Sequence, residues 1–377
     1  MKALSVGGAM VDTIAIIESD RIERMSMLNA DTSFLLLEEG RKTEALDVFT
    51  YAGGGAVNTS VALSRLGFDT SILVKLGRDT RADFLLTRLT DEGVSTRWVI
   101  RDADAPTGAS VIVSSHDRNA AVFTFRGANT LLSSGDLTAS AFAVDLVYIS
   151  SLSNRSADCF PTIVEKAKAN GALVAVNAGV RQLSVRSGTF LESLKKIDIL
   201  AINRREAEAL VPGLVAQFGE GGPTPPLEAG EQPPPLLARG LLGGGYEMSL
   251  PAFFKALHSL GTTYVMLTDG LGGAFVSEND TLIYCPAADT TVASTTGAGD
   301  AMASTFAAFI ALRQPIDVAL RAATINASCV VAYIDTQTGL MRREALDARV
   351  NANSRLRIRK WRMQPSRIAN ENTAVKG

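Results

Sequence analysis

The stretch Ser294-Thr295-Thr296-Gly297-Ala298-Gly299-Asp300, followed by the small, apolar run Ala301–Leu312, decides how this sequence is read. A glycine-rich turn that opens a helix presents unpaired backbone N–H groups at the positive end of the helix dipole, and a phosphoryl group fits there. Glycines at 297 and 299 remove the Cβ atoms that would hold such a group away. Asp300 then falls in the first helical turn, where its carboxylate can take the proton of an attacking hydroxyl. Alone, the same residues would also describe an ordinary helix start behind a tight turn.

Two further loops give that turn a context. Gly53-Gly54-Gly55-Ala56-Val57-Asn58 precedes a small-residue helix, with Gly67 and Gly77 beyond it. Its glycines would admit a ligand to the backbone, and the Asn58 amide can both donate to and accept from hydroxyls, or cap the helix. Thr268-Asp269-Gly270-Leu271-Gly272-Gly273 follows a strand-like run. It resembles a phosphate-contacting turn at a strand end, where open α/β sheets place ligands; a plain hairpin turn is the alternative.

Around these loops, short apolar runs of β type alternate with helical patterns. The strand candidates are Leu4–Val6, Ser71–Val74, Asp145–Ile149, Leu173–Val176, Ile197–Ala201 and Tyr264–Leu267. Helical stretches include Asn58–Leu66, Ala82–Glu92, Asp158–Asn170 and Arg205–Leu210. That alternation predicts an α/β domain with a mainly parallel sheet. Residues 13–50 and 106–126 break it with strand-like patterning, and Thr107–Ser114 and Ala120–Phe125 read as a hairpin. These pieces predict a small second sheet that could serve as a lid. Residues 212–251, rich in Pro and Gly, read as a surface insertion or mobile loop. The basic stretch 351–377 reads as a weakly ordered tail.

Of the 377 residues, 46 % are apolar and 20 % charged, with a formal net charge of −2. That balance describes a globular chain with a sizeable core and argues against a nucleic-acid or anionic-membrane partner. No apolar run reaches the length of a membrane span. The three cysteines, Cys159, Cys285 and Cys329, lie far apart without metal-ligand spacing, which suits a reducing, cytoplasmic setting. Two histidines give little support to a His-based zinc site or relay.

Taken together, the loops from Gly53 through Asn58, Ser60 and Gly67 to Gly77, and from Ser294 through Asp300 to Ser304, resemble the two signatures of the ribokinase-like (PfkB) family of carbohydrate kinases. The resemblance covers residues 3 to 345 apart from the Pro-rich insertion. It implies a ribokinase-like α/β/α sandwich with a mainly parallel central sheet and a small β-sheet lid, in a kinase domain spanning 1–345. It also implies ATP-dependent phosphorylation of a hydroxyl on a sugar or sugar-like molecule, with ATP and Mg2+ required.

By position, the resemblance makes Asp300 the catalytic base and Gly297, Ala298 and Gly299 its anion hole. It assigns Asp12, Gly54, Gly55 and Asn58 to the acceptor. Asn203, Thr268, Gly270, Gly273 and Asn326 go to the nucleotide, and Glu206 of Asn203-Arg204-Arg205-Glu206 to the metal. From the residues alone, Asn203 and Glu206 also read as a capping box, and Asp12 as a turn residue.

The match frays in places. Ser294 replaces an aspartate of potassium-activated relatives, which weakens the case for a monovalent-cation site. Thr305 stands where the family has Gly or Ala, and Gly55 where ribokinases proper have lysine. A nucleoside acceptor is the alternative, with Phe34, Phe49, Phe123 and Phe125 available for stacking. A phosphosugar would call on Arg41, Lys42 and Arg126. A sugar- or nucleotide-binding protein without catalysis is the rival from another class, and a homodimer through the lid is a further expectation of the resemblance.

Overall fold

The computed structural model describes residues 1–18, 23–26, 33–36, 40, 42–115, 120–220, 232–352 and 356–363. Its centre is a nine-stranded sheet. From one edge to the other it runs Arg359–Arg362, Thr281–Cys285, Ala274–Glu278, Tyr264–Thr268, Ile199–Asn203, Leu173–Val176, Leu146–Ile149, Lys2–Val6, Asp69–Leu73. The six strands from Tyr264–Thr268 to Asp69–Leu73 pair in parallel. The other three join antiparallel, the first two as successive hairpin arms.

Both faces of this sheet are covered, which explains why its strands read as continuous apolar runs rather than alternating ones. Along Leu146–Ile149, Leu146 and Tyr148 enter one core while Val147 and Ile149 enter the other. One core is completed by helices such as Phe160–Ala169, Arg204–Phe218 and Leu250–Ser259. The other is completed by Ala298–Ala311 and Ile316–Val330, whose Phe306, Phe309, Ala319 and Leu320 are fully or almost fully buried. These helices make the α/β/α sandwich.

A separate four-stranded sheet has the order Ala120–Phe125, Gly108–Ser115, Met10–Ile17, Asp47–Gly53. The hairpin expected around residues 107–125 is present as strands Gly108–Ser115 and Ala120–Phe125, and the turn 116–119 lies outside the described residues. Among the described residues, no helix is long and apolar enough to cross a membrane.

Two expectations need correction. The Pro/Gly-rich segment 212–251 is not a loose insertion over its described length. Helix Pro235–Arg239 and the hairpin Leu241–Gly243/Tyr246–Met248 bury Leu236, Leu237, Leu241 and Met248 in the main core. The hairpin packs on helix Arg204–Phe218 closely enough that a Cβ at Gly244 would stand 2.7 Å from Pro212 Cγ. Proline and glycine dominate the composition, yet the few leucines carry the burial. Residues 221–231 lie outside the described set.

Nor is the basic stretch simply a tail. Arg359–Arg362 is the edge strand of the large sheet, anchored by buried Trp361 and Met363. The Arg359 guanidinium lies over the Tyr284 and Trp361 rings at 4.9 and 5.4 Å, a cation–π arrangement. Residues 364–377 are outside the described set.

Candidate active site

The carboxyl ends of the parallel strands form a cleft, the usual ligand position in an open α/β sheet. Helix Ala298–Ala311 starts there. Its N-cap, Gly297, has φ 80°, a left-handed conformation that costs glycine little. A Cβ at Gly297 would also stand 2.7 Å from Thr336 Cβ, so a side chain is excluded twice. The N–H groups of Gly299 and Asp300 have no preceding helical carbonyl to bond and point out of the helix end. That of Ala298 is partly engaged with the Thr295 carbonyl at 3.4 Å.

Asp300 occupies the first turn and turns toward helix Gly55–Arg65. Its Oδ2 accepts a 2.8 Å hydrogen bond from Asn58 Nδ2. Its Oδ1 lies 3.5 Å from where a Gly55 Cβ would be, so the second oxygen faces the glycine loop. Burial raises the Asp300 carboxyl above its usual range, and the Asn58 hydrogen bond pulls in the opposite direction. Behind it, the Tyr148 hydroxyl is fully buried without a hydrogen-bond partner among the described residues. Burial first, then the charges of Asp300 and Glu206, hold it protonated far above its ordinary range.

Asn58 is neither an N-cap nor a free amide. Gly54 caps this helix, with φ 95°. A Cβ at Gly54 would lie 2.6 Å from the Gly8 carbonyl, so the glycine is required by chain crossing as well as by conformation. One helical turn on, Asn58 is buried, and its Oδ1 accepts from Thr336 Oγ1 at 2.7 Å and from Gln337 Nε2 at 3.3 Å. Gln337 Nε2 also donates to the Ala52 carbonyl, and Gln337 Oε1 accepts from Arg88. Asn58 thus fixes Asp300 and is itself fixed by residues 336–337. The sequence gives no periodic signal for those two, since they sit in an irregular stretch after helix Ile316–Val330. Gly55, where a lysine was the point of comparison, faces Ser150: a Cβ would lie 2.7 Å from Ser150 Cβ.

Asn203 and Glu206 form the expected capping box. Asn203 Oδ1 accepts from the Glu206 N–H and Glu206 Oε2 from the Asn203 N–H, at 3.0 and 2.8 Å. Burial pushes the Glu206 carboxyl up to about 7, with the capping hydrogen bonds opposing and the Asp300 charge adding to the rise. Glu206, Asn203, Asn177, Thr268, Gly299 and Asp300 share a cavity of about 170 Å³. It is lined by hard oxygen donors of the sort a divalent cation uses. Among the described residues, no three His, Cys, Asp or Glu cluster as a metal cage.

This small cavity adjoins a larger one of about 820 Å³, bordered by Asn203, Arg204, Thr268, Gly270, Gly273 and Gly299. Arg204 is held there by Asp269, Nη1 to Oδ1 at 2.9 Å. Helix Ile316–Val330 supplies Thr324, Ala327 and Ser328 to its wall. Asn326, expected here, points elsewhere. It is fully buried, donates to Thr305 Oγ1 at 2.8 Å and accepts from the Met341 N–H at 2.9 Å. Thr305, the departure from Gly or Ala, is that amide's partner: a polar pair bridges the two helices where small residues would pack without one.

A third cavity, of about 540 Å³, separates the four-stranded sheet from residues 292–296 and 334–336. Asp12 and Tyr51 line it, and Ser294 and Thr295 face them. Asp12 is buried and accepts from Ser110 Oγ; burial raises its carboxyl and that hydrogen bond opposes the rise. Thr295 and Val292 border both this cavity and the 820 Å³ one. Of the phenylalanines considered for stacking, Phe49 lies on the inner face of the small sheet, stacked on Tyr51. Phe123 and Phe125 project from the opposite, exposed face of the sheet, and the side chain of Phe34 lies outside the described set.

Comparison with known proteins gives this cleft its family. The profile of the pfkB family carbohydrate kinases matches residues 23–214 and 248–343, well over half of the chain. The chain belongs to the pfkB family of carbohydrate kinases. Among curated relatives of this pfkB chain, the ribokinase of Staphylococcus aureus is 26 % identical over 161 residues, covering 42 % of this chain and 51 % of that protein. The deoxyribokinase of Salmonella typhi is 22 % identical over 328 residues, covering 86 % and 94 %. The chain spans about half the length of the first two curated relatives it matches. Two solved structures share the fold. The ribokinase of Thermotoga maritima aligns with TM-score 0.69 at 18 % identity, covering 93 % of this chain and 99 % of that one. The nucleoside kinase of Methanocaldococcus jannaschii gives 0.70 at 19 %, covering 93 % and 98 %.

Proposed function

We propose that this pfkB-family chain transfers the γ-phosphate of ATP to a hydroxyl of a sugar or sugar-like acceptor, with Asp300 as the base. One observation carries the reading: a part-buried carboxylate, oriented by Asn58, shares the 170 Å³ pocket with Glu206 and Asn203, in the first turn of a helix whose Ala298 and Gly299 border the 820 Å³ cavity. The solved ribokinase of Arabidopsis thaliana, 20 % identical with TM-score 0.67, covers 93 % of this chain and 98 % of its own, and is described as complexed with ribose and ATP. It supports a two-substrate cleft.

In this mechanism Asp300 Oδ1 takes the proton of the acceptor hydroxyl as its oxygen bonds to the γ-phosphorus. The bond from that phosphorus to the ADP oxygen breaks, and ADP leaves. Outward N–H groups of Gly299 and Asp300 stabilise charge on the transferring oxygens. Residues 268–273 and Arg204 hold the polyphosphate, and Asp12 orients acceptor hydroxyls. The four-stranded sheet acts as a lid that excludes water and limits futile hydrolysis.

The oxygen-lined cavity around Glu206 suits Mg2+, an ion that binds through one or two carboxylates, waters and substrate phosphates. When bound, the ion neutralises phosphate charge; Glu206 and Asn203 would hold it. The outer face of the small sheet exposes Val48, Val111, Phe123 and Phe125, and we assign the homodimer contact to it. A change of sedimentation on Phe123→Glu would test that assignment.

The kinase reading is tested by ADP release from Mg·ATP across sugars and nucleosides, run beside Asp300→Asn. Release that disappears in the variant supports it. ATP and sugar binding without any ADP release would instead favour a binding protein.

A further inference from the structure

The register of the small sheet sorts its inner face into rows at right angles to the strands. Asp12 pairs with Tyr51 on one side and Ser110 on the other. The next inward row is Phe49, Ile14, Ile112 and Val122. Beyond it come Asp47, Ile16 and Ser114. Two residues along a strand advance roughly 7 Å. The inner face therefore passes from a hydroxyl-binding row to a wholly apolar row about one sugar ring farther on.

Ile14, Ile112 and Val122 all line the 540 Å³ cavity, and Phe49 stacks on Tyr51 with ring centroids 5.8 Å apart and planes 20° apart. That volume lies in the range of about 300–1,000 Å³ that drug-sized ligands fill, and exceeds what a free monosaccharide occupies. The described lining carries two carboxylates, Asp12 and Asp335, and no lysine or arginine. A phosphorylated acceptor would bring a dianion to those carboxylates without a cation of the described lining to meet it. An apolar row is wasted on a bare pentose, whose hydroxyls it would desolvate without return.

We infer that the acceptor is a nucleoside: its sugar hydroxyls meet Asp12, and its planar base lies against Phe49, Ile14, Ile112 and Val122. The inference rests on the kinase reading and narrows it. It replaces the phenylalanines of the outer face with a mainly aliphatic wall on the inner one.

The test measures ADP release by the full chain with Mg·ATP. Acceptors are adenosine, cytidine and uridine against ribose, 2-deoxyribose and ribose 5-phosphate, for the wild type, Ile112→Ala and Val122→Asn. Val122 is 57 % exposed, so the second variant changes the wall without emptying a core. The expected result is a kcat/KM for at least one nucleoside tenfold or more above that for either pentose. Each variant should lower that ratio by about tenfold, the scale of a lost methylene contact in an apolar pocket. A preference for a free pentose or the phosphosugar would overturn the inference while leaving the kinase reading intact, as would a ratio unmoved by both variants. ADP release with none of the acceptors, ATP still binding, would overturn the kinase reading and the inference with it.

Discussion

On the large-sheet side of the cleft, the groups assigned to the phosphates are backbone N–H groups and glycines at 297–299 and 270–273, backed by a few fixed side chains. On the small-sheet side, the groups assigned to the acceptor are side chains at alternate positions of paired strands. The first side depends on local conformation, because a turn with φ 80° at Gly297 specifies where the helix begins and where its free N–H groups point. The second depends on register between segments far apart in sequence, and a one-residue slip would exchange its two faces. On the proposed reading, phosphate chemistry is bound to the backbone, while acceptor choice can change by side-chain replacement alone.

The largest expected effect breaks the phosphate side at its proposed side-chain base. Asp300→Asn should lower kcat by about 10²–10⁴, with ATP affinity by titration calorimetry kept. An unchanged kcat would remove Asp300 from the mechanism. Gly297→Ala tests the backbone itself: the left-handed φ and the Thr336 contact should displace the helix start and cost about 10²–10³ in kcat. Wild-type turnover in that variant would mean the helix end takes no part.

Glu206 separates the two sides by pH. Its carboxyl is raised from 4.5 to about 7 in the folded chain, so the folded state keeps a proton that the unfolded state has lost. Stability should therefore fall as pH rises from about 4.5 through 7, by roughly 3 kcal/mol, and level off above. Glu206→Gln keeps the capping acceptor and should flatten that slope in urea titrations of the nucleotide-free protein. A slope as steep in the variant would place the titrating group elsewhere. The smallest effect concerns Asn326→Ala. Unpairing Thr305 Oγ1 and the Met341 N–H should cost about 1–3 kcal/mol in denaturation, while the KM for ATP stays near that of the wild type. A large rise in KM without loss of stability would return Asn326 to the nucleotide.

The sequence made the large sheet legible because both faces of its strands are buried, leaving compact apolar runs such as Leu173–Val176 between helices. The glycine turns were legible because each encodes a local backbone need. Other features depended on distant partners. Asn58 looked like a ligand or cap, and only the fold brings Thr336 and Gln337 to it. Asn326 was assigned to the nucleotide by its place on a helix, and which side of that helix faces the cavity is a matter of packing. The Leu236, Leu237 and Leu241 anchors were hidden by the prolines and glycines around them. Trp361 was hidden likewise, among arginines.

The strand Arg359–Arg362 has a consequence for how the chain is made. It pairs along Thr281–Cys285, whose Leu282, Ile283 and Tyr284 would otherwise present a bare, apolar, β-prone edge. During synthesis that edge has no partner strand until residues 359–362 have been made. The interval is a window for wrong pairing between nascent chains. Lys360 and Arg362, which flank Trp361, put charge beside the apolar anchor that finally closes it.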